Sequence, residues 1–205
     1  SKDEAIFEHS DSEDTVGFIR EIIHEAKGMF FEAGIRLTRE HMVELSHHYG
    51  LKNFRKHGAL IINIINREYC KKLIAVFPGQ NHPSHYHLKK EETFQLLCGT
   101  LNLVVENQIC RLKPGDTFLV ERGAKHGFSS DSGAIFEEVS TTHIKNDSFY
   151  EDDKINRMDL LERKTIIEVN DFGNDAKNRQ GFEDIRSGSI STGSLIKTRQ
   201  ACGYI

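Results

Sequence analysis

The chain has 205 residues, of which 38% are hydrophobic and 28% charged, a composition typical of one globular domain rather than of a disordered or fibrous protein. Its formal net charge of -4 offers no basic surface, so neither nucleic acid nor a membrane is expected as a partner. No apolar run approaches the roughly 20 residues of a membrane helix, and no signal peptide opens the sequence, so we expect a soluble cytoplasmic protein.

Two helices are predicted within residues 13–57, after a polar and acidic N-terminus over residues 1–12 that is expected to be frayed. Apolar residues recur at helical spacing between residues 16 and 30, which predicts the first helix. A second helix is predicted from Thr38, which can cap its start, to Gly50, which can end it. We expect both helices to cover a barrel.

Short segments rich in β-forming residues follow Gly58, separated by turn residues such as Pro78-Gly79 and Pro114-Gly115. The segments are residues 59–65, 73–77, 94–97, 101–105, 109–112, 117–120 and 134–141. Many short strands at this spacing are typical of an antiparallel sandwich or barrel, and we place that barrel at residues 58–172. The last strand is predicted at residues 164–169. The polar stretch 173–205 is expected to be a loosely ordered tail, or to dock on a partner subunit.

The stretch from residue 79 to residue 130 holds the residues best suited to bind a metal. His85 and His87 are two residues apart, so on a strand both imidazoles project from the same face. Glu92 can reach the same site from the next strand, and His126 can reach it from a strand further round. Three imidazoles and one carboxylate leave coordination positions open, which is typical of a catalytic metal.

The order of these residues resembles the two motifs of the cupin superfamily. The first motif is matched by Gly79, His85, His87, Glu92 and Gly99, and the second by Gly115, Gly123 and His126. Glu121 and Ser130 stand where proline and asparagine are usual, but neither is a ligand position. The resemblance implies a mainly β fold: a single jelly-roll barrel with the two helices covering it.

A closer resemblance, over about residues 30–150, is to D-lyxose isomerase-type sugar isomerases. It is carried by F-P-G-Q at Phe77–Gln80, K-E-E-T-F at Lys90–Phe94, L-K-P-G-D at Leu112–Asp116 and E-V-S-T-T at Glu138–Thr142. It implies an aldose–ketose isomerase that acts on a small sugar through an enediol. It also implies a divalent metal, manganese first and iron, zinc, nickel or cobalt as alternatives. The short loop Leu88–Glu91 and the glycine after His126 depart from that family's pattern and leave the sugar open.

Lys90 and Glu138 match polar residues that line the sugar site of those isomerases. Moving a proton between two carbons requires a base beside them, and we predict Glu138 in this role with Lys90 as electrophile or proton donor. Glu137 and Glu138 are adjacent on a strand, so one of them faces inward. The alternatives are that Glu138 is a solvated carboxylate on the strand and that Lys90 is an exposed lysine in a loop.

Three further histidines are predicted not to bind the metal. His47 and His48 fall on the exposed face of the predicted second helix. His82 precedes Pro83 in the turn before the H-x-H strand, where a contact with substrate is the alternative to a plain turn residue.

Two other functions are compatible with the sequence. One is a metal-containing, sugar-binding accessory or regulatory cupin domain, such as those attached to sialic-acid (N-acetylneuraminate) synthase-type proteins. The other is an Fe(II) dioxygenase, because three histidines and one glutamate also suit iron. We expect a small-molecule sugar as the substrate, and we expect a homodimer formed on a strand edge that the helices leave open.

Overall fold

The computed structural model describes residues 2–37 and 40–169. Within them, helices α1 (Lys2–Glu32), α2 (Phe54–His57), α3 (Asp153–Arg157) and α4 (Leu160–Arg163) accompany twelve strands. The strands are β1 (His41–Ser46), β2 (Ala59–Asn66), β3 (Tyr69–Val76), β4 (Gln80–Tyr86), β5 (Glu92–Gly99), β6 (Leu101–Val105), β7 (Gln108–Leu112), β8 (Thr117–Val120), β9 (His126–Ser130), β10 (Ala134–Thr141), β11 (Phe149–Tyr150) and β12 (Lys164–Val169). None of the described helices combines the length and the apolar character that crossing a membrane requires.

The strands form two antiparallel sheets, which confirms the predicted mainly β architecture. The larger sheet has the order β12-β1-β2-β3-β10-β5-β8 and the smaller one the order β11-β4-β9-β6-β7. Apolar side chains from both inner faces pack together, among them Ile74, Phe94 and Phe136 from the larger sheet and Leu103 and Phe128 from the smaller. This packing leaves one end of the sandwich free to hold polar side chains.

Helix α1 packs on the outer face of the larger sheet. Its residues Ile22, Ala26 and Phe30 are fully buried against Val43 and Ile62 of that sheet, together with other apolar residues. The helix predicted for residues 16–30 is thereby confirmed. The helix begins at Lys2, within the segment for which the sequence predicts a frayed terminus.

The predicted second helix is wrong, because residues 41–46 form strand β1 between β12 and β2. Val43 and Leu45 point towards α1, whereas Met42, Glu44 and Ser46 line an internal cavity. This two-residue alternation is the pattern of a strand with two covered faces, and the edge of β2 is available to pair with it.

Two further predictions concern residues close to β1. His47 and His48, predicted on an exposed helical face, follow the strand and are buried. The last predicted strand, residues 164–169, is present as β12 and pairs with β1. The tail expected at residues 173–205 lies outside the residues that the structure describes.

Candidate active site

Three of the predicted metal ligands meet between the sheets. His85 on β4 lies opposite His126 on the neighbouring β9, and His87 follows directly after β4. All three imidazoles are buried, and one ring nitrogen from each lies within 4.8 Å of the other two. The H-x-H spacing therefore does what the sequence predicts: it directs two rings to one point.

Each of these rings is held from behind by a backbone carbonyl. The Nδ1 atom of His85 is 3.1 Å from the oxygen of Pro83, that of His87 is 2.6 Å from Asp147, and that of His126 is 3.0 Å from Ala124. Because a carbonyl oxygen only accepts, each Nδ1 carries the hydrogen and donates it. Each Nε2 is then left with a free lone pair, as a metal ligand requires.

Glu92 completes the group from the facing sheet. Its Oε2 atom is 3.0 Å from Nε2 of His126, and its Oε1 atom is 3.6 Å from Nε2 of His87. Oε2 and both of these Nε2 atoms are buried without a hydrogen-bond partner. Unpartnered polar atoms that converge in this way are costly unless something binds them, so the four side chains fit a divalent metal ion.

The protonation of the group suits a cation. Burial lowers the pKa of His87 to about 4 and holds the pKa of His85 well below its usual range, so both are neutral at pH 7. Burial raises the pKa of Glu92, but the charge of Lys90, whose Nζ contacts Oε1, outweighs it and holds that pKa well below its ordinary value. Neutral imidazoles and an ionised carboxylate are the forms that bind metals.

The predicted base and its lysine are buried next to this group. Lys90 bridges two carboxylates, because its Nζ contacts Glu92 and lies 3.1 Å from Oε1 of Glu138. Glu138 points into the cavity, whereas Glu137 forms an ion pair with Lys71 on the outer face. The expectation that one of the two adjacent glutamates faces inward is confirmed, and the inward one is Glu138.

A second lysine, Lys72, was not predicted from the sequence. It is buried on β3 opposite Glu138 and donates from Nζ to Oε1 of that residue at 2.9 Å. Burial raises the pKa of Glu138, but Lys72 and Lys90 together outweigh it and lower that pKa below its ordinary value. Glu138 is therefore a carboxylate at neutral pH. The sequence signal for Lys72 is the adjacent pair Lys71-Lys72 in an otherwise largely apolar strand, of which one member faces inward.

Asp147 is another residue that sequence reasoning missed. Its carboxylate accepts hydrogen bonds of 3.0–3.2 Å from the backbone N–H groups of Leu88, Lys89 and Lys90, while its own carbonyl accepts from His87. The short loop between β4 and β5 is thus tied to the segment before β11. This tie positions His87 and Lys90 together.

His82 and its neighbours lie beside the three converging histidines, His85, His87 and His126. His82 is on β4 rather than in a turn, is buried, and stacks on Phe128 with ring centroids 4.5 Å apart. Its Nε2 atom is 3.0 Å from Nε2 of His48, and Tyr150 stacks on His85. These rings form a rigid wall behind the ligand group, and His82 also lines the cavity.

The cavity has a volume of about 290 Å³ and lies between the two sheets. Its polar lining comprises Glu44, Ser46, Asn63, Asn66, Lys72, His82, His85, His87, Lys90, Glu92, Glu138, His143, Ser148 and Lys164. This volume is at the small end of the range for small-molecule sites, and the lining is rich in groups that bind hydroxyls. The arrangement can hold a metal, a small polyol and an ionised base together.

Known proteins resemble the chain in sequence and fold. The family described as the Cupin domain matches residues 72–140. The D-lyxose ketol-isomerase of Cohnella laeviribosi is 30% identical over 174 residues, which cover 70% of this chain and 95% of that protein. The D-lyxose/D-mannose isomerase of Thermosediminibacter oceani is 28% identical over 175 residues, covering 70% and 94%. The L-ribose isomerase of Acinetobacter sp. DL28, solved with L-ribose, shares the fold with a TM-score of 0.54 at 16% identity, covering 67% of this chain and 92% of that one.

Proposed function

The chain belongs to the cupin sugar isomerase family that includes the D-lyxose ketol-isomerase of Cohnella laeviribosi, and from this premise we propose that it interconverts an aldose and a ketose, with D-lyxose as the first candidate substrate. One observation carries the proposal. The buried Glu138 lines the same small cavity as His85, His87 and Glu92, and the imidazole of His126 converges with those of His85 and His87.

We propose that these four side chains hold a divalent metal, with manganese as the first candidate. Three nitrogen ligands and one oxygen ligand also suit iron, zinc, nickel and cobalt. When bound, the metal supplies Lewis-acid polarisation of the oxygens on the two reacting carbons. The hydrogen bonds from Nδ1 to backbone carbonyls support this proposal, because they orient the rings without the metal.

Glu138 acts as the base in this scheme. Its carboxylate takes the proton from C2 of the aldose as the C2–H bond breaks, the hydroxyl proton of C2 moves to the oxygen on C1, and an enediolate with its negative charge on the C2 oxygen forms. Return of the abstracted proton to C1, as the C2 oxygen becomes the ketone carbonyl, gives the ketose. Lys72 and Lys90 keep Glu138 ionised between turnovers, which is the form the first step needs.

Apolar side chains form part of the cavity wall and limit the access of water to the intermediate. Phe94 and Phe128 line the cavity, and Tyr150 stacks on His85. Exclusion of water strengthens the charge interactions in the site and protects the intermediate.

The test is isotope exchange. Protein loaded with Mn²⁺ is incubated with D-lyxose in D₂O, and deuterium at C1 or C2 and formation of the ketose are followed by NMR. We expect both with the loaded wild type and neither after chelation. If no pentose or hexose shows exchange or conversion with the metal fully loaded, the isomerase proposal fails. Sugar binding without conversion then favours an accessory domain, and oxygen consumption with iron favours a dioxygenase.

We also propose a homodimer. The larger sheet ends at β8, where Leu119 is exposed, and an open strand edge of this kind is usually paired or covered. Light scattering at high micromolar concentration tests this, and a monomeric mass contradicts it.

A further inference from the structure

A second group of buried polar atoms lies on the cavity wall away from the three converging histidines. Nδ1 of His143 is buried without a hydrogen-bond partner, and Oε1 of Glu44 is buried with the ion pair to Lys164 as its contact; both residues line the cavity. A metal accounts for the unpartnered atoms of His87, Glu92 and His126, but it does not account for that of His143. A buried polar atom of this kind requires a partner, and the cavity is the place from which one can come. The Glu44 carboxylate has lone pairs beyond the one that faces Lys164, so it too can accept from a group in the cavity.

Both residues are fixed in position by the fold. Glu44 is on β1 and its charge is balanced by Lys164, whose Nζ lies 2.8 Å from Oε1 at the start of the neighbouring β12. His143 follows β10, where its backbone N–H donates to Oδ1 of Asn66 at 2.8 Å and its carbonyl accepts from Nδ2 of Asn66 at 3.2 Å. Groups held this firmly are suited to recognition of a ligand.

Their place in the sheet sets which part of a ligand they face. Glu44 is three strands from Glu138, in the order β1-β2-β3-β10, and each step between strands is about 4.8 Å. Both side chains point into the cavity. The cavity extends between the two residues, so a sugar with C1 and C2 beside Glu138 can place its other carbons on the Glu44 side.

The charges of the lining indicate hydroxyl groups rather than a phosphate. Among the described residues, each lysine that lines the cavity is already paired: Lys72 with Glu138, Lys90 with Glu92 and Glu138, and Lys164 with Glu44. A carboxylate oxygen only accepts hydrogen bonds, and a hydroxyl is the donor that a neutral sugar offers.

We propose that Glu44 and His143 bind the hydroxyls on C4 and C5 of the sugar and thereby determine which sugars are accepted. The inference rests on the proposed isomerase function. Glu44 accepts from one hydroxyl, Lys164 keeps that carboxylate in place, and His143 binds the next hydroxyl through Nδ1. A site built to bind a hydroxyl discriminates strongly against an analogue that lacks it, because its buried groups are then left unpaired.

The experiment compares D-lyxose with its 4-deoxy and 5-deoxy analogues in the wild type, in Glu44→Gln and in a matched control. The control is Glu137→Gln, which also removes a strand carboxylate paired with a lysine, but on the outer face. We expect kcat/KM of the wild type to fall about 10–100-fold for at least one deoxy sugar, as loss of a hydrogen bond to a charged group predicts. In Glu44→Gln we expect KM for D-lyxose to rise about tenfold, kcat to stay close to that of the wild type, and most of this discrimination to disappear.

The Glu137→Gln protein should behave as the wild type with all three sugars. If Glu44→Gln discriminates against both deoxy sugars as strongly as the wild type does, the inference is wrong. If Glu44→Gln melts at a much lower temperature than the wild type, His143→Asn replaces it. His143 lies on a loop, and the same discrimination between D-lyxose and its deoxy analogues is then measured in that variant.

Failure of the inference can be told apart from failure of the proposed function. Calorimetry of sugar binding to the metal-loaded wild type and Glu44→Gln measures the same discrimination without turnover. Binding that depends on Glu44 without isotope exchange contradicts the isomerase and supports the recognition role. Exchange with unchanged discrimination contradicts only the recognition role.

Discussion

Lys72 and Glu138 are direct cross-strand neighbours, and Nζ of the lysine donates a 2.9 Å hydrogen bond to Oε1 of the glutamate. Both side chains are buried, so little water screens this contact. A base that must start each turnover as a carboxylate is thereby kept ionised inside an apolar sandwich. The same contact makes Lys72 a positioning residue for Glu138.

Lys72→Met should move the pH dependence of the reaction. Lys72 is the larger of the two lysine contributions that lower the pKa of Glu138, so its removal raises that pKa. Glu138 is then protonated at a higher pH, and the acid limb of the kcat/KM profile shifts towards neutrality. Lys71→Met, which removes the adjacent lysine from the outer face, should leave the limb in place. An unshifted limb in Lys72→Met would exclude the electrostatic role of Lys72.

Glu138→Gln and Glu92→Gln should separate catalysis from metal binding. Each keeps the shape of the side chain and removes its charge. We expect Glu138→Gln to retain the metal and to lose a factor of about 10²–10⁴ in turnover and in deuterium exchange, since the base is lost. Glu92→Gln should instead bind the metal more weakly. Metal content by elemental analysis, measured beside turnover, checks both, and equal metal loss in the two variants contradicts the assignment.

Replacing a ligand histidine should remove most of the metal. His85→Ala, His87→Ala and His126→Ala each leave three ligands. We expect metal affinity to fall by more than about 100-fold, because replacing a residue that only orients a metal ligand already costs up to about 100-fold. His57→Ala, on α2 and away from the cavity, is the control and should bind metal as the wild type does. Metal content like that of the wild type in all three ligand variants would remove the metal site.

Asp147→Ala tests the tie between the loop and His87. Without the carboxylate, three backbone N–H groups of the loop lose their acceptor, and the carbonyl that orients His87 is no longer held. We expect metal affinity to fall about 10–100-fold, as for other residues that orient a metal ligand. Asp116→Ala removes a similar backbone acceptor from an exposed turn and should not change the affinity. Equal affinities in the two proteins would contradict the role of Asp147.

The sequence predicts the mainly β architecture and the convergence of His85, His87 and His126 because both depend on local spacing. An H-x-H pair on a strand points to one side wherever that strand lies, and helix α1 follows from its own apolar stripe. Strand β1 is missed because the helix prediction rested on a cap at Thr38 and a stop at Gly50. The two-residue spacing of Val43 and Leu45 fits a strand, and it becomes decisive once the open edge of β2 is there to pair with.

The partners of the buried charges are harder to predict. Lys72 and Glu138 are 66 residues apart in the chain, and no local pattern shows that they are opposed. Lys71-Lys72 and Glu137-Glu138 are each adjacent pairs, so the sequence shows that one member of each faces inward without showing which. Glu44 and Asp147 are single acidic residues whose partners are equally remote.

Lys72, Glu138, Lys90 and Glu92 form a continuous chain of alternating charge that ends at His126, one of the three proposed ligand histidines. Two ammonium groups and two carboxylates cancel, and the neutral forms of His85 and His87 add nothing to the sum. The charge of a divalent ion bound at the end of this chain would therefore not be neutralised by these side chains. With the ion bound, the site would carry a net positive charge, which stabilises the negative charge that an isomerisation builds on two neighbouring oxygens. Without the ion, the site would lose that net positive charge.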